Sequence, residues 1–200
     1  TAANVSTAVN AGVGIITYCG HGSETSWGTT NFSNSHINNL TNYNMLPFII
    51  STACLNGKYV NQTCFAEAWL RATKNGQPTG AVSTVMSTMS QPWNPPMVGQ
   101  DEMIRLLTGA ENTTVKRTFG GIVINGLAKM HEVYPTTTSQ GLQTMRTWVL
   151  FGDPTLQVRT AVPQLLTVSH NSQIYTGVTQ LQVSSPVENA KVVLTKGNTI

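Results

Sequence analysis

The sequence contains few charged residues. Asp, Glu, Lys and Arg make up 10% of its 200 residues, whereas an average globular protein has roughly 25%. Asn, Thr, Ser and Gln fill the deficit, and a polar, uncharged surface of this kind is typical of secreted bacterial proteins. The formal net charge of +3 comes from dispersed Lys and Arg residues, with no cluster dense enough to follow a phosphate backbone. We therefore do not expect a nucleic acid partner.

Cysteines and long apolar runs are also scarce. The three cysteines, Cys19, Cys54 and Cys64, include no Cys-x-x-Cys pair, so we predict neither a disulfide framework nor a zinc site, and at least one free thiol. No apolar run reaches the roughly 20 residues that span a bilayer, and the first residues from Thr1 do not have the pattern expected of a signal peptide. Because the chain also lacks an initiator Met and stops in a strand-like stretch, we expect it to be a processed or trimmed piece of a longer protein.

The first ninety residues alternate between helical and strand-like patterns, which predicts a parallel α/β sheet flanked by helices. Leu46–Ala53 is apolar almost throughout, as expected of a strand covered on both faces. The predicted strands are Val13–Cys19, Leu46–Ala53 and Thr79–Thr88. The predicted helices are Thr1–Asn10, a short one capped by Ser33 that contains His36, and Cys64–Lys74, which Asn75-Gly76 should end.

The pattern becomes helical after a proline-rich loop and changes again near the end of the chain. From about Val158, short alternating runs separated by Asn, Ser, Gly and Pro are typical of a β-sandwich, and we place a domain boundary near Thr160. The loop is Gln91–Met97, and the helices that follow it are Val98–Leu107, Thr118–Tyr134 and Ser139–Val149.

Two reactive side chains follow neighbouring candidate strands. His21 comes after Val13–Cys19, and Cys54 comes after Leu46–Ala53. If these strands pair in parallel, their carboxyl ends lie about 5 Å apart, at the edge where such sheets carry functional residues. An imidazole beside a thiol favours the nucleophilic thiolate and can protonate a leaving amine. We therefore predict acyl-transfer chemistry, with Gly22 and Cys54 amides as oxyanion donors.

Simpler interpretations exist for each residue. A Cys at the end of a buried strand is usually a small apolar side chain, and a lone His in a loop is usually polar surface. Cys19 competes as the nucleophile, but only one residue separates it from His21, which leaves no room for a substrate between the two side chains. Cys64 opens a predicted helix and is better explained by packing.

Several longer motifs resemble one known family. "YCGHGSETSWG", "LPFIISTACLNG", "CFAEAWLRATKNGQPTGAVSTVMSTMSQPWNPPMVGQDEM", "KRTFGGIVINGLAKM" and "TWVLFGDPTLQVRT" resemble, in this order, the later part of the catalytic domain of gingipains, especially the arginine-specific ones. Gingipains are secreted bacterial cysteine endopeptidases with a caspase-like fold. The resemblance implies that residues 1–159 are the C-terminal part of such a catalytic domain. It also implies that residues 160–200 begin an immunoglobulin-like β-sandwich.

The resemblance also assigns roles to individual residues. His21 matches the catalytic histidine, Cys54 matches the nucleophile, and Gly22 fits the oxyanion site. Trp93 and Met97 match residues that line the pocket for the substrate's basic side chain, and an indole face can hold a guanidinium by stacking.

The resemblance further implies a structural calcium ion. Glu67 matches an acidic calcium ligand, and a backbone carbonyl near Tyr59 would be a second one. The loop Tyr59–Thr63 is slightly shorter here than in the family.

Two acidic residues of the family, one that orients the histidine and one that selects arginine, lie upstream of Thr1. The missing N-terminal half of the catalytic domain is therefore an expected partner.

These observations predict a secreted or cell-surface cysteine endopeptidase that cuts protein or peptide substrates, with Arg expected before the cut, and that needs no cofactor for catalysis. Two alternatives remain open. One is a catalytically inactive adhesion or binding module, and the other is a peptidase-like transpeptidase that uses the same acyl-enzyme chemistry.

Overall fold

The computed structural model describes residues 1–135, 140–162, 165–188, 190 and 192–195. The chain separates into two compact units, Thr1–Thr160 and Ala161–Ile200. Among the described residues, no helix is both long and apolar enough to cross a membrane.

The first unit contains six α-helices, one 3-10 helix and nine strands among its described residues. The α-helices are α1 (Ala2–Asn10), α2 (Asn34–Ile37), α3 (Phe65–Arg71), α4 (Asn94–Thr108), α5 (Phe119–Val133) and α6 (Gln140–Thr147), and the 3-10 helix is Ala110–Asn112. The strands are β1 (Ile15–Cys19), β2 (Gly22–Ser23), β3 (Ser26–Trp27), β4 (Phe32–Ser33), β5 (Phe48–Thr52), β6 (Thr73–Lys74), β7 (Gln77–Pro78), β8 (Ser83–Ser87) and β9 (Trp148–Phe151).

The central sheet has four strands in the order β1-β5-β8-β9. The strands β1, β5 and β8 are parallel, and β9 is antiparallel to β8. In the β1–β5 pair, Ile15 lies opposite Phe48 and Cys19 lies opposite Thr52. The structure thus confirms a mixed α/β fold with a mostly parallel sheet, and it confirms that the strands preceding His21 and Cys54 are neighbours.

A separate hydrophobic core covers each face of this sheet. Successive residues of β5 point to opposite faces, so Ile49 joins the core formed with α1, α2 and α3, whereas Phe48 and Ile50 join the core formed with α4, α5 and α6. All five residues of β5 are buried. This explains why the sequence of β5 is apolar almost without interruption.

The pair Asn75-Gly76 does not end a helix, as the sequence had suggested. Helix α3 stops at Arg71, and β6 and β7 then form a hairpin whose two-residue turn is Asn75-Gly76. Both turn residues have positive φ, 52° and 73°, which is the backbone that Asn-Gly adopts in tight hairpins. The prediction was wrong because an Asn-Gly pair serves a helix end and a hairpin turn equally well.

Two further helix boundaries differ from the predictions. Helix α4 begins at Asn94, so Pro95 lies in its first turn, where a missing backbone N–H costs no helical hydrogen bond. The last predicted helix ends at Thr147, and its final residues begin β9 instead. Its predicted start, Ser139, lies outside the described residues. Helix α5 is continuous through Gly120-Gly121.

The second unit contains one two-stranded antiparallel pair, Ser169–His170 with Val183–Ser184, among the residues that the structure describes. Of the runs predicted to form strands, one residue of 164–170 and two residues of 190–196 lie outside the described residues. The immunoglobulin-like assignment of residues 160–200 stays a prediction.

Asn42 joins two loops at the amino ends of the strands. Its side chain is fully buried, with 0% exposure. Its Nδ2 donates to the carbonyls of Met45 and Gly80 at 2.9 and 2.8 Å, and its Oδ1 accepts from the Gly80 amide at 2.9 Å. Asn42 therefore satisfies three backbone groups in front of β5 and β8, two of which are the buried amide and carbonyl of Gly80.

We expect Asn42→Ala to lower the free energy of unfolding by about 2 to 4 kcal/mol, because removing one partner leaves buried polar groups unsatisfied at roughly 1 to 3 kcal/mol each. Urea titration followed by circular dichroism measures this change. Asn39→Ala is the control, since Asn39 is exposed and water can replace its hydrogen bonds. Equal stability of the two variants would contradict the assignment.

Candidate active site

A cleft of about 220 Å³ opens at the carboxyl edge of the parallel strands. It collects the last residue of β5 and residues that follow β1, β5 and β8, as expected of the crevice at this edge. The residues lining it are Gly20, His21, Thr52, Ala53, Cys54, Gln91, Pro92 and Trp93. The two side chains that the sequence singled out for acyl transfer therefore face one cavity.

The backbone of His21 is fixed from two directions. The buried Tyr18 donates its hydroxyl hydrogen to the His21 carbonyl at 2.8 Å, and the Gly28 amide donates to the same oxygen at 2.7 Å. The imidazole itself is exposed and meets the Trp93 indole edge-on, with ring centroids 5.4 Å apart. The ring is thus open to a ligand while its attachment to the sheet is rigid.

Cys54 lies two residues after the end of β5 and is partly buried. Its thiol donates to the Gln91 carbonyl, with a sulfur–oxygen distance of 3.8 Å. The next residue, Leu55, has φ +62°, a left-handed backbone that costs a non-glycine residue of order 1 kcal/mol or more. The Leu55 amide donates to the Met89 carbonyl at 3.1 Å, which holds this sharp turn against the loop after β8.

The other two thiols occupy different environments. Cys19 is exposed at the end of β1 and is absent from the lining of the cleft. Cys64 is fully buried as the N-cap of α3, and burial raises the pKa of its thiol, so the reactive thiolate is disfavoured there. Of the three cysteines, only Cys54 shares the cleft with His21.

Gly22 brings the two loops into close contact. A Cβ atom at this position would lie 2.7 Å from the Cys54 carbonyl oxygen and 2.9 Å from the Ala53 Cβ. Real Cβ atoms essentially never approach that closely, so only glycine fits unless one of the loops moves. Gly22 and Cys54 are therefore neighbours, as predicted. The two loops can approach this closely because Gly22 has no side chain.

Trp93 and Met97 lie at the start of α4. Trp93 is the N-cap residue, it lines the cleft, and it is 55% exposed. Met97, four residues after Trp93 in the first turn of α4, is also exposed, but it is not among the residues that line the cleft. The sequence had placed both residues in a loop.

The residues predicted to bind calcium have other surroundings. Glu67 forms a capping box, in which its Oε2 accepts from the Cys64 amide at 2.9 Å, and the side chain of Tyr59 is exposed. No group of three or more His, Cys, Asp or Glu residues suited to a metal occurs in the described part of the chain. Calcium takes about six to eight oxygen ligands. These two residues do not form such a site by themselves.

Three residues at the site did not stand out in the sequence: Tyr18, Asn56 and Gln91. Tyr18 holds the His21 carbonyl, Gln91 accepts from the Cys54 thiol, and Asn56 is buried between the two loops. Tyr18 sits in a strand-forming run and Asn56 precedes a glycine, so both look like ordinary strand and turn residues.

A mostly parallel α/β sheet with a cysteine and a histidine in one cleft is an arrangement suited to a cysteine hydrolase. The sequence model of peptidase family C25 matches residues 1–159, and the chain belongs to this family. Gingipain R1 of Porphyromonas gingivalis is 46% identical over 175 residues, and gingipain R2 of the same organism is 43% identical over 191 residues. The crystal structure of the Arg-specific cysteine proteinase gingipain R superimposes with a TM-score of 0.88 at 44% identity.

The alignments cover most of this chain but only a part of each relative. The alignment with gingipain R1 covers 87% of this chain and 17% of that relative. The alignment with gingipain R2 covers 95% of this chain and 26% of that relative. The structural match covers 94% of this chain and 43% of the solved one. The activity and specificity of those larger proteins therefore come to this chain only as proposals.

We expect Gly22→Ala to lower the free energy of unfolding by about 1 to 3 kcal/mol, because the added methyl group overpacks the contact with Cys54 and Ala53. Urea titration gives the value. Gly14→Ala is the matched control, since its Cβ would meet only the Arg159 carbonyl at 3.8 Å, an ordinary contact. A Gly22→Ala protein as stable as the Gly14→Ala protein would show that the loops are not in close contact.

Proposed function

We propose that this chain carries the catalytic cysteine and histidine of a secreted or cell-surface cysteine endopeptidase. The observation that supports the proposal most directly is the shared cleft, which both His21 and Cys54 line. Membership of peptidase family C25 supports the same reaction. We propose the activity for the whole catalytic domain of which this chain would form part, because the solved relative is more than twice as long.

The reaction would proceed through an acyl-enzyme. The Cys54 sulfur attacks the scissile carbonyl carbon as a thiolate, and His21 accepts the thiol proton and delivers it to the leaving amine. Water, deprotonated by His21, then hydrolyses the thioester and releases the second product. This sequence of bond changes needs no cofactor.

The oxyanion of each tetrahedral intermediate would be held by the backbone amides of Gly22 and Cys54. The close approach of these two residues supports the assignment, since the space beside Gly22 is too small for a side chain. Such donors typically contribute roughly 3 kcal/mol each to stabilising the transition state.

The substrate residue before the cut is proposed to be arginine. One similar solved structure is described as Arg-specific, and the exposed indole of Trp93 stands beside His21 at the cleft. A guanidinium stacked on such an indole gains about 0.5 to 2 kcal/mol. Met97, exposed in the first turn of α4, would extend this wall of the pocket.

We expect Cys54→Ala to abolish hydrolysis of arginyl reporter peptides, because no other thiol lines the described cleft. The measurement is the initial rate with the full-length protein, together with mass mapping of a basic chloromethyl ketone adduct. Cys19→Ala is the control and should keep full activity. An adduct on Cys19 or Cys64 would overturn the assignment.

The same assay separates the two alternatives. No hydrolysis by the unaltered protein would favour a binding module, and aminolysis products in the presence of a competing amine would favour a transpeptidase.

For Trp93→Ala we expect kcat/KM for an arginyl reporter to fall roughly 2- to 30-fold, which corresponds to the loss of about 0.5 to 2 kcal/mol of stacking. The matched substrate is a citrullyl reporter, which has nearly the same shape without the charge and should lose much less. Equal losses on both reporters would show that Trp93 does not recognise the cation.

A further inference from the structure

Asn56 lies between the loop that carries His21 and the loop that carries Cys54. It follows Cys54 by two residues, and its side chain is fully buried with 0% exposure. Its Nδ2 donates to the carbonyls of Ser23 and Ser26 at 2.7 and 3.0 Å. Ser23 and Ser26 bound the tight β2–β3 hairpin that begins directly after His21. One amide group therefore joins the two proposed catalytic loops.

The orientation of this amide is fixed by a directional chain of hydrogen bonds. The Trp27 indole nitrogen, which can only donate, donates to the Ser51 hydroxyl at 3.0 Å. The Ser51 hydroxyl must then turn its own hydrogen elsewhere, and it donates to Asn56 Oδ1 at 3.0 Å. The carbonyl end of Asn56 thus faces Ser51, and both Nδ2 hydrogens face the hairpin carbonyls.

The chain of bonds begins in the core and ends at the site. Trp27 is 1% exposed, stacks on Tyr18 at 4.6 Å, and packs against Phe65 and Trp69. Ser51 belongs to β5 and is fully buried. Asn56 is therefore held by buried residues of the core through Ser51. It in turn holds the loop that carries His21 against the loop that carries Cys54.

The space around Asn56 leaves little room for the loops to shift. A Cβ at Gly22 would lie 2.9 Å from Asn56 Nδ2. The backbone carbonyl of Asn56 accepts from the backbone amide of Ala66 at 2.9 Å. The same loops are also joined by the ion pair of Lys58 with Glu24 at 3.3 Å, which is partly exposed. Exposed pairs of this kind contribute little, so the buried amide is the stronger connection.

We propose that Asn56 is a positioning residue that sets the placement of the His21 imidazole relative to the Cys54 thiol. The proposal rests on the proposed function, since it assigns Asn56 to the same site. Displacements on the order of 1 Å between reacting groups can cost about 100-fold in rate. Loss of the amide should therefore slow the chemical step while leaving the Trp93 side of the cleft, and with it substrate affinity, largely unchanged.

The test compares Asn56→Ala with Asn42→Ala in the full-length protein carrying Cys19→Ala, so that the exposed thiol does not contribute to labelling. Asn42 is a matched control because it is equally buried, also joins two loops through its amide, and lies at the opposite end of the strands. Ser51→Ala is a second variant, which removes the hydroxyl that orients Asn56 and accepts from the Trp27 indole but leaves the Asn56 amide in place. Each variant is assayed at a temperature where urea titration shows it to be folded.

Two readouts are measured for every variant. The first is kcat and KM for an arginyl reporter, and the second is the rate of Cys54 alkylation by iodoacetamide as a function of pH. A thiol paired with an imidazole is alkylated at acidic pH, whereas an isolated thiol reacts only near its ordinary pKa of about 8.5. The charged groups on these two loops, Glu24 and Lys58, are unchanged in all variants.

For Asn56→Ala we expect kcat to fall at least about tenfold with KM within about twofold, and the acidic part of the alkylation profile to be lost. Ser51→Ala should change both in the same direction and by less, while Asn42→Ala should change neither despite a comparable loss of stability. If Asn56→Ala and Asn42→Ala have the same kcat and the same alkylation profile, Asn56 is only a structural residue and the proposal is wrong.

The alkylation profile also separates this proposal from the proposed function. A protein that cleaves no peptide, but whose Cys54 profile depends on both His21 and Asn56, would contradict the peptidase and support the positioning role. Hydrolysis that depends on Cys54 but not on Asn56 would support the peptidase and contradict the positioning role.

Discussion

The parallel pairing of β1 with β5 is the constraint on which the site depends. Because Cys19 lies opposite Thr52, both strands end at the same level of the sheet, and the chain leaves each of them towards the same crevice. A shift of this register by one residue would turn every side chain of β1 to the opposite face. The buried β5, held between two hydrophobic cores, makes such a shift costly.

The rigidity of the sheet does not by itself place two loop residues. His21 and Cys54 both lie beyond the strand ends, where backbone polar groups need partners other than the sheet. For the first loop the structure supplies these partners from buried groups, namely the hydroxyl of Tyr18 and the amide of Asn56, and Asn56 itself belongs to the second loop. The hydrophobic cores therefore fix the strands, and buried hydrogen bonds fix the loops that follow them. These hydrogen bonds lie within a few residues of the reactive side chains.

The sequence predicted the parts of this arrangement that depend on local pattern. The runs around β1, β5 and β8 are rich in apolar and β-branched residues, and His21 and Cys54 follow two of them directly. Strand β9 was missed because Trp148–Phe151 continues the apolar spacing of α6, and a run of four residues cannot be assigned by periodicity. The role of Asn56 could not be predicted, since its partners are backbone carbonyls about thirty residues away in the chain that only the folded loops bring near.

The four tryptophans of the chain divide unevenly between interior and cleft. Trp27, Trp69 and Trp148 are at most 2% exposed, whereas Trp93 is 55% exposed and touches His21 edge-on. Water-exposed indoles emit at longer wavelengths than buried ones, and a protonated imidazole in contact with an indole quenches its fluorescence. The long-wavelength part of the intrinsic fluorescence is therefore expected to come from Trp93. Its intensity should depend on whether the neighbouring His21 is protonated.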